Sequence, residues 1–220
     1  MGIPIYYRKG NESVVSSYDS FDLASKTGYK KFYCSNHEFS NAIAYFITPE
    51  IADSTVPFIS LAGTGALTDL YVKEQDLDFD ILFNSPQIIR GDLYTELSYG
   101  NVNQAGVTSH CYVILNVYHV SPSGTETLIG TINGKERTIG SGLSCIYRDL
   151  FKISITKKKF AIGDKLRFNL LYYSRASNAS NMLYYIYFDA SSRTQTAYNN
   201  PYSFKDSTDL SLFVPFFIDV

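Results

Sequence analysis

Residues 165–172 read Lys165-Leu-Arg-Phe-Asn-Leu-Leu-Tyr172, and this stretch decides the fold class. Leu166, Phe168, Leu170 and Tyr172 fall on one side of an extended chain, and Lys165, Arg167 and Asn169 on the other. Side chains alternate across a strand with a period of two, so the pattern is a strand with one face in a core and one in water. The same alternation holds in Asp76-Leu-Asp-Phe-Asp-Ile-Leu-Phe83, where Leu77, Phe79, Ile81 and Phe83 oppose Asp76, Asp78 and Asp80. Between them, Cys111-Tyr-Val-Ile-Leu-Asn-Val-Tyr-His-Val120 lies within the run Ser109–Ser121, apolar on both faces, which predicts a long central strand.

Further strands are predicted at 125–132, 135–139, 146–156, 182–189 and 209–219. Asn133-Gly134 separates two of them and has the composition of a type I′ hairpin turn. Phe160-Ala-Ile-Gly163-Asp164 and Ser121-Pro-Ser-Gly124 read as turns, with Gly163 free to take a left-handed conformation. No helical crossover rhythm separates the strands. The expectation is an all-β protein, an antiparallel β-sandwich or jelly roll with at most one or two short helices.

The first 75 residues are less regular. Residues 1–28 are polar and weakly periodic and read as an N-terminal arm. Residues 29–220 then form a single domain, irregular to 75 and strand-rich from 76. Ser35-Asn-His-Glu38 has the form of a capping box, and Phe39, Ala42, Ile43 and Phe46 follow at helical spacing until Thr48-Pro49, which predicts a helix over Ser35–Thr48. The alternation of Ile43, Tyr45 and Ile47 allows a strand in the same place. Two loops, Ser174–Asn181 and Ala190–Asp206, are rich in Ser, Asn and Thr, the kind of segment on which a sandwich carries function.

Composition narrows the function classes. No apolar run approaches membrane-spanning length, and no secretory leader or lipidation signal is visible, so neither membrane nor export is expected. Cys34, Cys111 and Cys145 are far apart, odd in number and free of CxxC spacing, and are expected to be reduced. A net charge of −2 offers no general attraction to nucleic acid, so none is expected as a partner; Lys157-Lys158-Lys159 reads as solvated edge lysines. Charged residues make up only 18%, while Tyr numbers 19 and Phe 15, a balance found where proteins meet proteins.

The motifs of catalysis are weak. No Gly-x-Ser-x-Gly elbow occurs, and His119 sits inside a strand, where a structural role is the ordinary one. Asp76, Asp78 and Asp80 imitate the start of a calcium loop, yet Ile81 stands where Gly is needed and Gln87 where a bidentate Glu belongs. Strand alternation explains the triplet as a solvated face. Gly63-Thr-Gly65 and Gly130-Thr-Ile-Asn-Gly134-Lys135 fall short of phosphate-binding loops. No metal, no cofactor and no catalytic residue is expected.

The segment Ser207-Thr-Asp-Leu-Ser-Leu-Phe-Val-Pro-Phe-Phe-Ile-Asp-Val220 resembles the closing strand of uncharacterised structural proteins of tailed phages and environmental viruses. Phe160-Ala-Ile-Gly-Asp-Lys-Leu-Arg-Phe168 is similar to the Gly-Asp turn of jelly-roll and carbohydrate-binding sandwiches. The resemblance spans about 25 residues. It implies a virion component made in the host cytoplasm: a head decoration protein, capsid auxiliary subunit, or head-fibre or tail adaptor. Its partners would be copies of itself or other virion proteins. Within the segment, Leu210, Leu212, Val214, Phe216 and Ile218 share a face, and Pro215 fits an edge strand or a bulge.

The alternative is a carbohydrate- or receptor-binding module, in which Tyr184, Tyr185 and Tyr187, near Asn178 and Asn181, stack on sugar rings. A catalytic domain such as a glycan lyase is the third reading.

Overall fold

The computed structural model describes residues 27–39, 42–49, 58–62, 70–103, 108–140, 144–176, 182–187 and 210–217. Twelve strands follow in chain order: β1 (Thr27–Phe39), β2 (Ala42–Thr48), β3 (Phe58–Ala62), β4 (Val72–Leu82), β5 (Gln87–Asn103), β6 (Ser109–Val120), β7 (Glu126–Asn133), β8 (Arg137–Ile139), β9 (Ser144–Phe160), β10 (Lys165–Ala176), β11 (Met182–Tyr187) and β12 (Leu210–Phe217). No helix occurs among the described residues.

The strands form two antiparallel sheets. The larger runs β2-β1-β12-β5, after which β9 covers one edge of β5 along its length; β11, carrying β3, continues the edge that β12 begins. The smaller runs β4-β10-β6-β7, with β8 also on β6. Setting aside β2, β3, β8 and β11 leaves two four-stranded layers, β1-β12-β5-β9 and β4-β10-β6-β7. Their antiparallel pairs are β1 with β12, β4 with β10, β5 with β9 and β6 with β7: first with last, and inward to the middle. A chain folded as one long hairpin and wound across two sheets is a jelly roll.

Alternation fills the space between the layers. Leu166, Phe168, Leu170 and Tyr172 of β10 and Leu77 and Phe79 of β4 meet Leu93, Leu97 and Tyr99 of β5 and Leu210, Leu212 and Val214 of β12, all buried. Phe79 and Phe168 lie 6.3 Å apart, and Tyr99 meets Tyr172 edge-on at 6.1 Å. At one seam Tyr45 of β2 packs edge-on against Phe79, 6.1 Å between centroids. At the other, β7 lies so close to β9 that a Cβ on Gly130 would stand 2.7 Å from Ile153 Cγ2.

Two local expectations are corrected. Ser35–Thr48 is not a helix but the end of β1, followed by β2, paired from Tyr33↔Thr48 to Phe39↔Ala42. Tertiary packing overrides the capping-box signal, because Tyr45 and Ile47 gain the sandwich core as strand residues. Asn133-Gly134 is not a hairpin turn: β7 and β8 both pair with β6, so the chain runs on along one neighbour. Gly134 donates its N–H to the Val113 carbonyl at 2.8 Å, and a Cβ there would stand 2.9 Å from Val113 Cγ2 and 3.3 Å from Phe151 Cε1. Close approach, not backbone handedness, requires the glycine.

The closing segment is central, between β1 and β5, and its register shifts between Phe213 and Phe216 around Pro215, so the bulge alternative holds and the edge alternative does not. Cys34 and Cys111 are buried thiols; the Cys145 side chain lies outside the described residues, as do residues 1–26 of the expected arm.

Candidate functional site

Three turns converge at one end of the sandwich. Gly163, at φ 86°, closes the β9–β10 turn, as its sequence predicts. Its N–H reaches the Phe83 carbonyl at 2.8 Å, and the Phe83 N–H reaches the Asp164 carbonyl at 3.0 Å, tying this turn to the end of β4. A Cβ on Gly163 would stand 3.4 Å from Pro122 of the β6–β7 turn. Asp164 locks the assembly: one carboxylate oxygen lies 2.8 Å from His119 Nε2 and accepts the Ala161 N–H at 2.7 Å. His119 first, then that N–H, holds the Asp164 carboxyl below its ordinary range. The His119 ring also packs on Phe160, 5.0 Å between centroids, so this histidine holds a turn rather than a nucleophile. Two large apolar side chains are exposed at this end: Leu82 is 54% exposed and Ile162 65%.

The outer face of the smaller sheet carries the aspartate triplet. Asp80 takes Arg167 through two bonds, 2.7 and 2.9 Å, and Lys165 at 3.1 Å. Arg167 and then Lys165 hold its carboxyl below the usual range. Asn169 donates to Asp76 at 2.7 Å and Asp78 at 2.8 Å; Asn116 donates to Asn169, and Thr131 to Asn116. This donor chain crosses β7, β6, β10 and β4. The triplet is thus a cross-strand ladder more than a solvated face, and no metal-holding group of carboxylates, histidines or cysteines occurs among the described residues.

Further along the same face, Tyr112 and Tyr173 stack 5.0 Å apart at 3°, and Tyr71 meets Tyr112 edge-on at 4.8 Å. Arg175 lies over the Tyr71 ring at 4.9 Å and reaches Glu136 at 3.4 Å, while His110 Nδ1 lies 3.0 Å from the same carboxylate. The Tyr71 hydroxyl is shut off from solvent and closes no hydrogen bond of good geometry, so Glu136 acts on it by proximity. Burial first, then that carboxylate, push the phenol up to about 12. Aromatic faces beside a carboxylate and a guanidinium can recognise a polyhydroxylated ligand. Sequence reading missed this cluster; the alternation of β6 puts His110 and Tyr112 outward, but their meeting with Tyr173 needs the strand register.

The sequence-chosen residues fall elsewhere. Tyr185 and Tyr187 share one face of β11, rings 6.1 Å apart. Tyr187 is 5% exposed, and burial holds its phenol far above the ordinary range. Asn178, Asn181 and the Tyr184 side chain lie outside the described residues.

No protein-family description and no curated protein matches this sequence. Solved structures of similar shape include an aminopeptidase from the marine sediment archaeon Thaumarchaeota archaeon, at TM-score 0.52 and 8% identity over 88% of this chain and 37% of that one. A CocE/NonD family hydrolase from Staphylococcus aureus gives 0.46 and 10% over 86% and 37%. A structure of infectious bursal disease virus Gx strain gives 0.31 and 9% over 83% and 42%. The chain spans little more than a third of the first two. At such identities the aminopeptidase match shows the fold alone, and the two weaker likenesses carry no argument.

Proposed function

We propose that this chain is a non-enzymatic jelly-roll subunit of a virion-type assembly, acting by contact with copies of itself or with other virion proteins. The observation that carries the reading is the pair of apolar side chains at the locked end. A solvent-exposed turn needs no leucine or isoleucine, and a single exposed one is ordinary. Here Leu82, at the end of β4, and Ile162, in the β9–β10 turn, are both exposed where His119, Asp164 and the Phe83 hydrogen bonds fix the turns. Rigidity before binding removes part of the entropy cost of association, which is what a contact surface requires. The wound topology and a closing strand held in mid-sheet agree with the resemblance of residues 207–220. Mass spectrometry of particles from the source should find the chain among their components; a soluble monomer absent from particles contradicts the reading.

The second reading is glycan binding, favoured by the Tyr71, Tyr112 and Tyr173 cluster with Glu136 and Arg175 beside it. A glycan array with Tyr112→Ala as control separates the two: specific binding lost in the variant supports a lectin-like module.

A further inference from the structure

The chain's net charge of −2 conceals an uneven distribution. In the larger sheet Phe32, Leu212, Leu93 and Ile153 point inward and are buried, so Lys31, Phe213, Tyr94 and Lys152 point outward. These four are register partners in one row: Lys31↔Phe213, Phe213↔Tyr94, Tyr94↔Lys152. Two aromatic rings thus occupy the central strands, β12 and β5, with a lysine on each flanking strand. Tyr29, 45% exposed, stands 6.0 Å from Tyr94, and Lys31 Nζ lies 5.0 Å from the Phe213 centroid and 4.8 Å from that of Tyr33. Along β9, Lys157 lies over Phe217 at 5.4 Å and Lys159 is exposed; Arg90 is exposed on β5. Among the described residues the carboxylates on this face are Asp92 and Glu96, already held by Lys152 at 2.8 Å and Arg148 at 3.5 Å. The open area is the half toward Tyr29, since Ser98 and Ser211 farther along the outer face are buried.

We propose that this half-face binds a single-stranded polynucleotide. The exposed Tyr29 ring on β1 and the half-buried Tyr94 and Phe213 rings on the middle strands offer faces on which unpaired bases stack without regard to sequence, and flanking cations track the phosphates. A duplex hides its base faces, and an acidic peptide would use the lysines but not the rings. The inference is independent of whether the chain assembles.

Fluorescence anisotropy of the full chain with a labelled oligothymidylate tests it. Binding should weaken by about 50-fold between 50 and 200 mM salt, as release of counterions from about four phosphates requires. Tyr29→Ala should weaken it by about tenfold, the order of one lost base stack. Lys152→Glu with Lys157→Glu should weaken it at least as much, while an unchanged melting temperature shows that the variants fold. Three results overturn the proposal: no binding at 50 mM salt, equal affinity for duplex DNA or oligoglutamate, or binding indifferent to these substitutions.

Discussion

Gly134 and Val113 are closer than any side-chain-bearing residue would permit: a Cβ at position 134 would stand 2.9 Å from Val113 Cγ2 and 3.1 Å from its carbonyl oxygen. The dipeptide Asn133-Gly134 therefore serves a seam between strands and not a turn. Gly134→Asn separates the two accounts. A type I′ turn would tolerate asparagine. Overpacking here should cost about 1–3 kcal/mol in denaturant unfolding. A neutral substitution would restore the turn reading.

Acid should unfold the protein by a route its ion pairs define. The Asp80 carboxyl is lowered by Arg167, and those of Asp76, Asp92 and Asp164 by Lys73, Lys152 and His119. A carboxyl depressed by folding adds stability above its unfolded value, near 3.8, and loses it as pH falls through the folded value. The melting temperature should accordingly hold near neutrality and fall below about pH 4. Asp80→Asn should melt lower at pH 7 and lose less between pH 6 and pH 3. Parallel curves for variant and parent would remove Asp80 from this account.

Burial makes the cysteines silent. Cys34 and Cys111 have no exposed surface, and burial pushes the Cys34 thiol well up, so neither offers a thiolate to a reagent. A thiol-specific dye should leave both untouched in the native protein, as read by peptide mapping, and label them in denaturant. Fast native labelling at either position would mean that the sandwich opens locally.

Period-two strands were legible in the sequence because one face of each is buried: β4, β6 and β10 begin within a few residues of where alternation puts them. β5, one of the two longest strands, escaped notice. Its outward residues Arg90, Asp92, Tyr94 and Glu96 mix charge with an aromatic, and a register shift at Ile89–Gly91 breaks the period. Residues 35–48 carry apolar spacings that suit both helix and strand, and only the waiting core beside Phe79 decides between them. The Gly163 turn was readable from its glycine. The His119–Asp164 lock was not, since 45 residues separate partners that only the pairing of β6 with β10 brings together. Average charge likewise hid the Lys31–Lys152 row, because opposite faces cancel in a sum.

The central claim is that the fixed tip is an inter-subunit contact, and light scattering over a concentration series of the full chain tests it most directly. Burying Ile162 and Leu82 against a neighbour would supply on the order of 1.5–3 kcal/mol each. The account predicts association in the parent protein and its loss, by about tenfold or more in affinity, in Ile162→Glu with an unchanged melting temperature. A parent that stays monomeric at every concentration, or an Ile162→Glu variant that associates as well as the parent, would contradict it.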